Sequence, residues 1–405
     1  MIPQELNEQL TDVRPESAAG KVLRQYWQPA ALLDEIKPDR LLPINLLDEK
    51  LVLQSMDDGS FVLKERVHCQ NESPVLHPRQ VQIKESDVFY PTIEKNGIIF
   101  AYLGDGSPPD IPNFDCFRAP STHSFAFKGL WECNWLQALE IGIDPAHASF
   151  LHRFLEDEKP EDAYGKQFRD KSEGADIPMT KILRDYPRPE IDVEETDYGL
   201  KITALRHMEH ELTHVRVTNC IFPEAICIPM SREMTITQWH VPVDRMHCYW
   251  YTMFTSFKDP VNKELMRSQR LAEHTLPEYL PKKNKTNNYK YDPFEQQKLT
   301  YTGMGLDINV HDQWAVEMMG NIQDRTREHL GRSDKAIVRF RRMFRKAMAS
   351  FEKGEILSLP MRKPATRDLV GPLSNDAISP SSEWKNKSHD ADMTRRNLCP
   401  WDASV

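Results

Sequence analysis

No run of about 18 apolar residues interrupts this 405-residue chain, so no membrane-spanning helix is expected. Nor does the start, Met1-Ile2-Pro3-Gln4-Glu5, carry the apolar core of an export signal. The net charge is −9, and no basic block that could track phosphates stands against it. Nucleic-acid binding is therefore not expected. The seven cysteines, at 69, 116, 133, 220, 227, 248 and 399, form no CxxC pair and are odd in number. That pattern suits a reduced, cytoplasmic chain with mostly buried thiols, not a disulfide framework. No internal repeat is present.

The length suffices for two domains. A polar lead-in over 1–20 feeds a short helix over 18–27. Short alternating runs follow at 42–47, 51–55, 61–65 and 98–103, two of them opened by the turns Asp57-Asp58-Gly59 and Asn96-Gly97. They predict a small all-β unit. The Gly/Pro-rich segment 104–112 marks its end, which gives an expected first domain over 1–115 and a second over 116–362. In the second domain a helix is expected over 140–154 and a charged surface loop over 155–180. Three long alternating runs, 190–206, 212–228 and 233–257, read as antiparallel strands with one buried face. Helices are expected over 262–274, over 312–330 with Gly331 as the stop, and over 333–351. The last is basic, and its Arg339, Arg341, Arg342, Arg345 and Lys346 are expected on a solvated face. The segment 280–300 reads as a polar loop. The tail, 363–405, is rich in Pro, Ser, Asn and Asp and is expected to be poorly ordered or to contact a partner.

The chemistry concentrates in one stretch, Asn134-Trp135-Leu136-Gln137-Ala138-Leu139-Glu140-Ile141-Gly142-Ile143-Asp144-Pro145-Ala146-His147-Ala148-Ser149-Phe150-Leu151-His152. Two histidines lie five apart, with a carboxylate three residues before the first. Imidazoles suit Fe, Zn, Cu and Ni, and one further carboxylate would complete the two-His, one-carboxylate face of non-haem Fe(II) oxygenases. The spacing alone also suits a pair of helix-surface histidines, because an ideal helix turns residues five apart off one face.

The same stretch resembles the iron-binding motif of Rieske-type aromatic-ring oxygenases of the phthalate-dioxygenase-like branch. That motif reads Asn-Trp-Leu-Gln, then Glu, then Asp-x-x-His-x-x-x-x-His; Ile141 stands where Gly is common. Two further stretches match, Leu23-Arg24-Gln25-Tyr26-Trp27-Gln28-Pro29 and 310–331, which opens Val310-His311-Asp312-Gln313. The resemblance implies an α+β chain. Its first part would be a Rieske-like β domain, and its second a helix-grip (START-like) antiparallel-sheet catalytic domain. It implies His147, His152 and Asp312 as ligands of a mononuclear Fe(2+). An Asp opening a helix near free amide N–H groups is suited to remain charged for a metal, or simply to cap the helix. Asp144 is implied in electron transfer between subunits, or as a partner holding the N–H of His147. Asn134, Gln137 and Glu140 are expected around the ligands, and Glu317 is placed to face them.

The resemblance breaks at the electron donor. A Rieske cluster needs two Cys and two His in Cys-x-His and Cys-x-x-His pairs. Here Val67-His68-Cys69 puts Val where the first Cys belongs, and the second loop is missing between His77 and Val88. No [2Fe–2S] cluster is expected, and His68, Cys69 and His77 read as remnants of a degenerate loop. Three functions remain open. The first is the oxygenase component of a multi-component system, which hydroxylates or demethylates an aromatic or heteroaromatic compound with O2. Its electrons would come from a separate Rieske or reductase partner, or from a Rieske-containing paralogous subunit in a homo- or hetero-trimer or hexamer. The others are a metal enzyme that needs no external electrons and a non-catalytic companion subunit. The substrate is expected under the curved sheet, with Ile221, His240, Tyr251 and Trp314 as lining candidates beside Pro223, Ile226, Trp239 and Phe254. Arg206, His207 and Arg216 read as carboxylate holders or as exposed strand residues.

Overall fold

Helices α1 (Gln4–Thr11) and α2 (Ala18–Leu23) open the chain, the second capped by the Ser17 hydroxyl, which accepts from the Gly20 amide. The second ends short of Trp27 because Trp27 already starts strand β1 (Trp27–Leu32). The computed structural model describes residues 1–37, 40–68, 72–78, 80–85, 88–157, 177, 179–231 and 233–405. Strands β2 (Leu42–Leu46), β3 (Glu49–Ser55), β4 (Phe61–Glu65), β5 (Phe89–Tyr90), β6 (Thr92–Lys95) and β7 (Ile98–Tyr102) follow. They form two small antiparallel sheets, in the orders β2-β3-β4-β5 and β1-β7-β6. His68 is exposed beside Glu72, and His77 donates its amide to Glu278; Cys69 lies outside the described residues.

Strand β8 (Asn113–Phe114), helix α3 (Asp115–Arg118) and strand β9 (Ser124–Trp131) lead into the second body. Its helices α4 (Trp135–Gly142), α5 (His147–Leu151) and α6 (Met179–Asp185) precede the strands of the large sheet. The expected 140–154 helix is thus two helices with a break at Ile143–Ala146, while much of the expected 155–180 loop lies outside the described residues.

Each of the three long runs expected as one strand is a hairpin. They are β10 (Glu190–Thr196) with β11 (Gly199–His207), β12 (Leu212–Ile221) with β13 (Ala225–Pro229), and β14 (Met234–Pro242) with β15 (Cys248–Ser256). The turns were hidden because they contain buried apolar residues, Phe222 and Val243, which prolong the apparent alternation. Gly199 makes the first turn possible: its φ is +144°, and a Cβ there would meet the Cys220 carbonyl at 2.3 Å.

Helix α7 (Lys263–Glu273) comes next, then the short strands β16 (His274–Thr275) and β17 (Leu280–Pro281). Helices α8 (Pro293–Lys298), α9 (Ile308–Met318) and α10 (Lys335–Glu352) follow. The expected 312–330 helix is displaced toward the N-terminus. Asp307 accepts from the Asn309 amide and caps α9, and the chain leaves it near Gly320, at φ +90°, well before Gly331. Helix α10 buries Ala336, Ile337, Phe340, Phe344, Ala347 and Met348, the spacing of one apolar stripe. Phe344 meets Trp135 at 5.3 Å and Phe222 at 5.7 Å.

The tail is ordered, contrary to the composition-based expectation. Strand β18 (Val370–Gly371) pairs with β8, β19 (Asp376–Pro380) pairs with β12, and α11 (Trp384–Asn397) packs on β19. The large sheet therefore has eight strands, in the order β10-β11-β12-β13-β14-β15-β9 with β19 beside β12. Composition misled because the tail's polar groups are buried in pairs: Arg396 holds Asp115 at 2.7 Å and Asp392 at 2.6 Å, all three inaccessible. Helices laid on one antiparallel sheet give the expected α+β class, with α4 across β13–β15 and α10 on β10 and β11. Among the described residues no helix is long and apolar enough to cross a membrane.

Candidate metal centre

Helix α4 is buried on every side, as a helix with Trp135, Leu136, Ala138 and Leu139 around its circumference must be. Its polar residues fix its position. The Asn134 carbonyl oxygen accepts from the Leu136 amide, and its NH2 donates to Thr11 O and Arg245 O. Gln137 donates to the Val316 and Gly320 carbonyls and accepts from the Gln323 amide. Glu140 receives Arg325 at 2.8 Å and Arg341 at 2.5 Å, and Arg341 also reaches Glu328. These two guanidinium groups hold the Glu140 carboxyl below its ordinary pKa against the opposing effect of burial.

Asn134 and Glu140, expected around the ligands, turn their polar atoms to backbone and arginine and not to the cavity. Glu317 likewise accepts from Tyr289 and the Glu132 amide. Arg341, expected on a solvated face, is buried in this network.

The break after α4 turns the chain so that α5 starts on His147. The Asp144 carboxylate accepts from the Ala146 amide at 2.8 Å and stabilises the turn, while the Asp144 carbonyl accepts from His147 Nδ1. The backbone oxygen, not the carboxylate, thus orients this imidazole and leaves its Nε2 facing the cavity. Arg206 donates to Pro145 O at 3.2 Å and Ser149 Oγ at 3.0 Å, which ties the same turn to β11. Arg206 is buried rather than exposed, and burial lowers its pKa to about 10.

His147 Nε2 lies 3.6 Å and His152 Nε2 3.2 Å from Asp312 Oδ1. One donor atom from each residue lies within 4.8 Å of the others, and this is the one such convergence of three among the described residues. Asp312 does not open its helix: it sits in the second turn of α9, with Asp307 as the cap. Its Oδ1 is buried with no hydrogen-bond donor, and burial pushes its pKa up to about 6. Burial lowers that of His147.

Beside these groups lies a cavity of about 140 Å³, lined by Trp131, Ile141, Ile226, Ile228, Ile236 and Phe254, with His147, His152, Asp312 and Asp144 at one end. Gly142 lets α4 approach the sheet here, since a Cβ on it would stand 2.7 Å from Ile226 Cδ1. Thr218, Gln238, His240, Arg216 and Arg270 supply the polar lining. Of the four lining candidates, His240 reaches this cavity. Ile221 borders a separate small one, Tyr251 donates to Ala30 O, and Trp314 packs with Tyr289, Met304 and Val310. These misses share a cause. Alternation tells which residues face inward, but a curved sheet has inward-facing residues beyond the cavity. Ile226 and Phe254 were placed correctly, Arg216 lines the cavity while bonded to Asp376, and His207 is exposed on Glu190.

Comparison with known proteins gives the family. The LigXa C-terminal domain-like family matches residues 105–393. The chain belongs to that family, and so to the oxygenase (alpha) subunits of the Rieske-type enzymes, which use non-haem iron. It is 28% identical to the phthalate 4,5-dioxygenase oxygenase subunit of Pseudomonas putida, over 88% of both chains. It is 26% identical to the 5,5'-dehydrodivanillate O-demethylase oxygenase subunit of a Sphingobium strain, over 91% of this chain and 86% of that one. A solved complex between the oxygenase and ferredoxin of carbazole 1,9a-dioxygenase aligns at 18% identity and a TM-score of 0.44, over 91% of this chain and 97% of that one.

Proposed function

We propose that His147, His152 and Asp312 hold one Fe(II) ion and that the chain oxidises an aromatic or heteroaromatic substrate with O2. The observation that carries the reading is the convergence of two imidazole Nε2 atoms on a buried carboxylate oxygen that has no hydrogen-bond donor. Two imidazoles and one carboxylate with open positions are the ligand set of non-haem Fe(II) oxygenases. A ferrous ion bound there supplies O2 activation. The chain's own residues do the rest. The Asp144 carbonyl fixes the His147 ring, Arg206 fixes the turn beneath it, and the apolar cavity wall excludes water and packs a planar ring. Thr218, Gln238 and His240 offer the polar contacts that orient it. The phthalate and dehydrodivanillate specificities of the relatives support an aromatic substrate.

We read the chain as lacking a [2Fe–2S] cluster, because neither Cys-x-His nor Cys-x-x-His occurs where the motif requires it. Electrons then come from a separate Rieske or reductase protein, or from a cluster-bearing paralogous subunit in a trimer or hexamer. The exposed Phe150, Leu155, Leu299 and Tyr301 beside α5 support a partner contact near the site. Division at about 115, as the composition predicts, and residence in the cytoplasm, supported by six free thiols among the described residues, belong to the same reading.

Metal and acid-labile sulfide analysis tests it. About one iron per chain without sulfide is expected, with turnover of an aromatic substrate only when a Rieske donor is added. His147→Ala should abolish iron binding; unchanged iron content in that variant would overturn the ligand set. A chain that takes up no metal after anaerobic loading with Fe(II) would be a companion subunit.

A further inference from the structure

The residue before Asp312 has no role in the site described so far, yet it lies against a ligand. His311 is fully buried on α9. Its Nε2 stands 2.8 Å from the Gly305 carbonyl, and its Nδ1 stands 3.5 Å from His152 Nδ1, the two rings stacked at 5.6 Å. A carbonyl only accepts, so His311 Nε2 carries a proton. Two Nδ1 atoms that face each other share one proton between them. It sits on His152 if His311 is neutral. If it sits on His311, His152 is neutral with its proton on Nε2, the atom that faces Asp312. A metal at Nε2 admits only the first arrangement, since a ligating nitrogen must offer a lone pair.

The acceptor end of this pair is itself anchored. The Gly305 amide donates to Glu295 Oε1 at 2.8 Å, and Asp307, two residues on, caps α9 and receives Arg270 at 3.0 Å. Gly305 sits at φ +89°, a conformation that frees its carbonyl to turn toward His311.

We propose that His311 is a positioning residue for the metal centre: it accepts the Nδ1 proton of His152, with its own tautomer set by the Gly305 carbonyl. This rests on the metal-site reading above. Metal-ligating histidines ordinarily pass their second N–H to a carboxylate, carbonyl or water. His147 uses the Asp144 carbonyl; His152 uses a second histidine that borrows its polarity from a carbonyl one step away.

Nitrogen-15 histidine spectra of the metal-free chain test the pairing directly, with the His311 signals assigned by their loss in His311→Asn. The expected result is a proton on His311 Nε2 and none on its Nδ1 and, once Zn(II) is added, a proton on His152 Nδ1. A His311 protonated at Nδ1, or a Zn(II)-loaded chain with no proton on His152 Nδ1, overturns the proposal. Co(II) titration gives the second test. His311→Leu should weaken Co(II) binding by about 10–100-fold, whereas His311→Asn, whose amide oxygen can accept in place of Nδ1, should stay within about threefold of the parent. Wild-type affinity in the Leu variant, or equal losses in both, overturns it. If the Leu variant does not fold, the spectra of the parent chain decide. A parent chain that binds no Co(II) removes the metal reading, and the His311 tautomer still judges its pairing with the Gly305 carbonyl.

Discussion

Glu224 sits in the turn between β12 and β13 with 1% of its surface exposed, and one of its oxygens has no hydrogen-bond donor. Burial pushes its pKa up to about 8, from an ordinary 4.5, with Gln28 opposing weakly. The folded chain therefore keeps a proton that the unfolded chain releases above about pH 4.5. Stability contributed by the neutral form is complete below that pH and is lost as pH rises toward 8. Glu224→Gln should remove this slope. Unfolding curves at pH 5 and pH 8 should show the variant gaining at least about 2 kcal/mol on the parent at the higher pH. Parallel curves would mean that the carboxyl is not neutral.

At the same scale, the convergence of His147, His152 and Asp312 was legible because the motif constrains residue type and spacing together. The partners of Asn134 and Glu140 were not legible, because a fingerprint does not tell a residue that faces the cavity from one that holds its helix. Their partners, Thr11, Arg245, Arg325 and Arg341, are far away in sequence. His311 carried no signal beyond its neighbour, since its acceptor is a backbone carbonyl.

Elements carry the three converging side chains, and their mutual placement depends on a few others. Gln137 joins α4, which leads to His147, to the end of α9, which bears Asp312, through three hydrogen bonds. Gln137→Leu keeps the volume but leaves two carbonyls and one amide without partners. It should cost roughly 2–4 kcal/mol in urea unfolding. An unchanged midpoint would show that water replaces all three bonds. The strands of the first body were legible from alternation and Gly turns, as were α7 and α10. The doubling of the long runs into hairpins was not, because Phe222 and Val243 are buried within turns. The start of α9 was displaced because both Asp307 and Asp312 suit a cap, and only the first accepts from the backbone.

At the scale of the molecule, the tail closes the structure. Arg396 links α11 to Asp115, at the junction between the small sheets and the large one. Arg396→Ala leaves Asp115 with Arg118 and Asp392 with Arg395 as the remaining cationic partner, and should cost about 1.5–3 kcal/mol, read as a lowered thermal midpoint. A midpoint within a degree of the parent would show that the pair is solvated. Composition could not reveal this role, because the tail's polar residues are satisfied by distant partners and not by solvent.

The seam between β12 and β19 also bears on biosynthesis. Residues 212–216 of β12 pair with β11 on one side and with 376–380 on the other, while β13 covers only the far end of that second side. During translation the ribosome makes all the other strands of the large sheet first. Until residues 376–380 emerge, the nascent chain presents an open half-edge of backbone donors and acceptors in the middle of the sheet, a template for pairing with other polypeptides. The segment 376–380 thus acts as a built-in closure. A premature stop codon upstream of Asp376 would be expected to yield a sticky, chaperone-dependent product, not a slightly shorter enzyme.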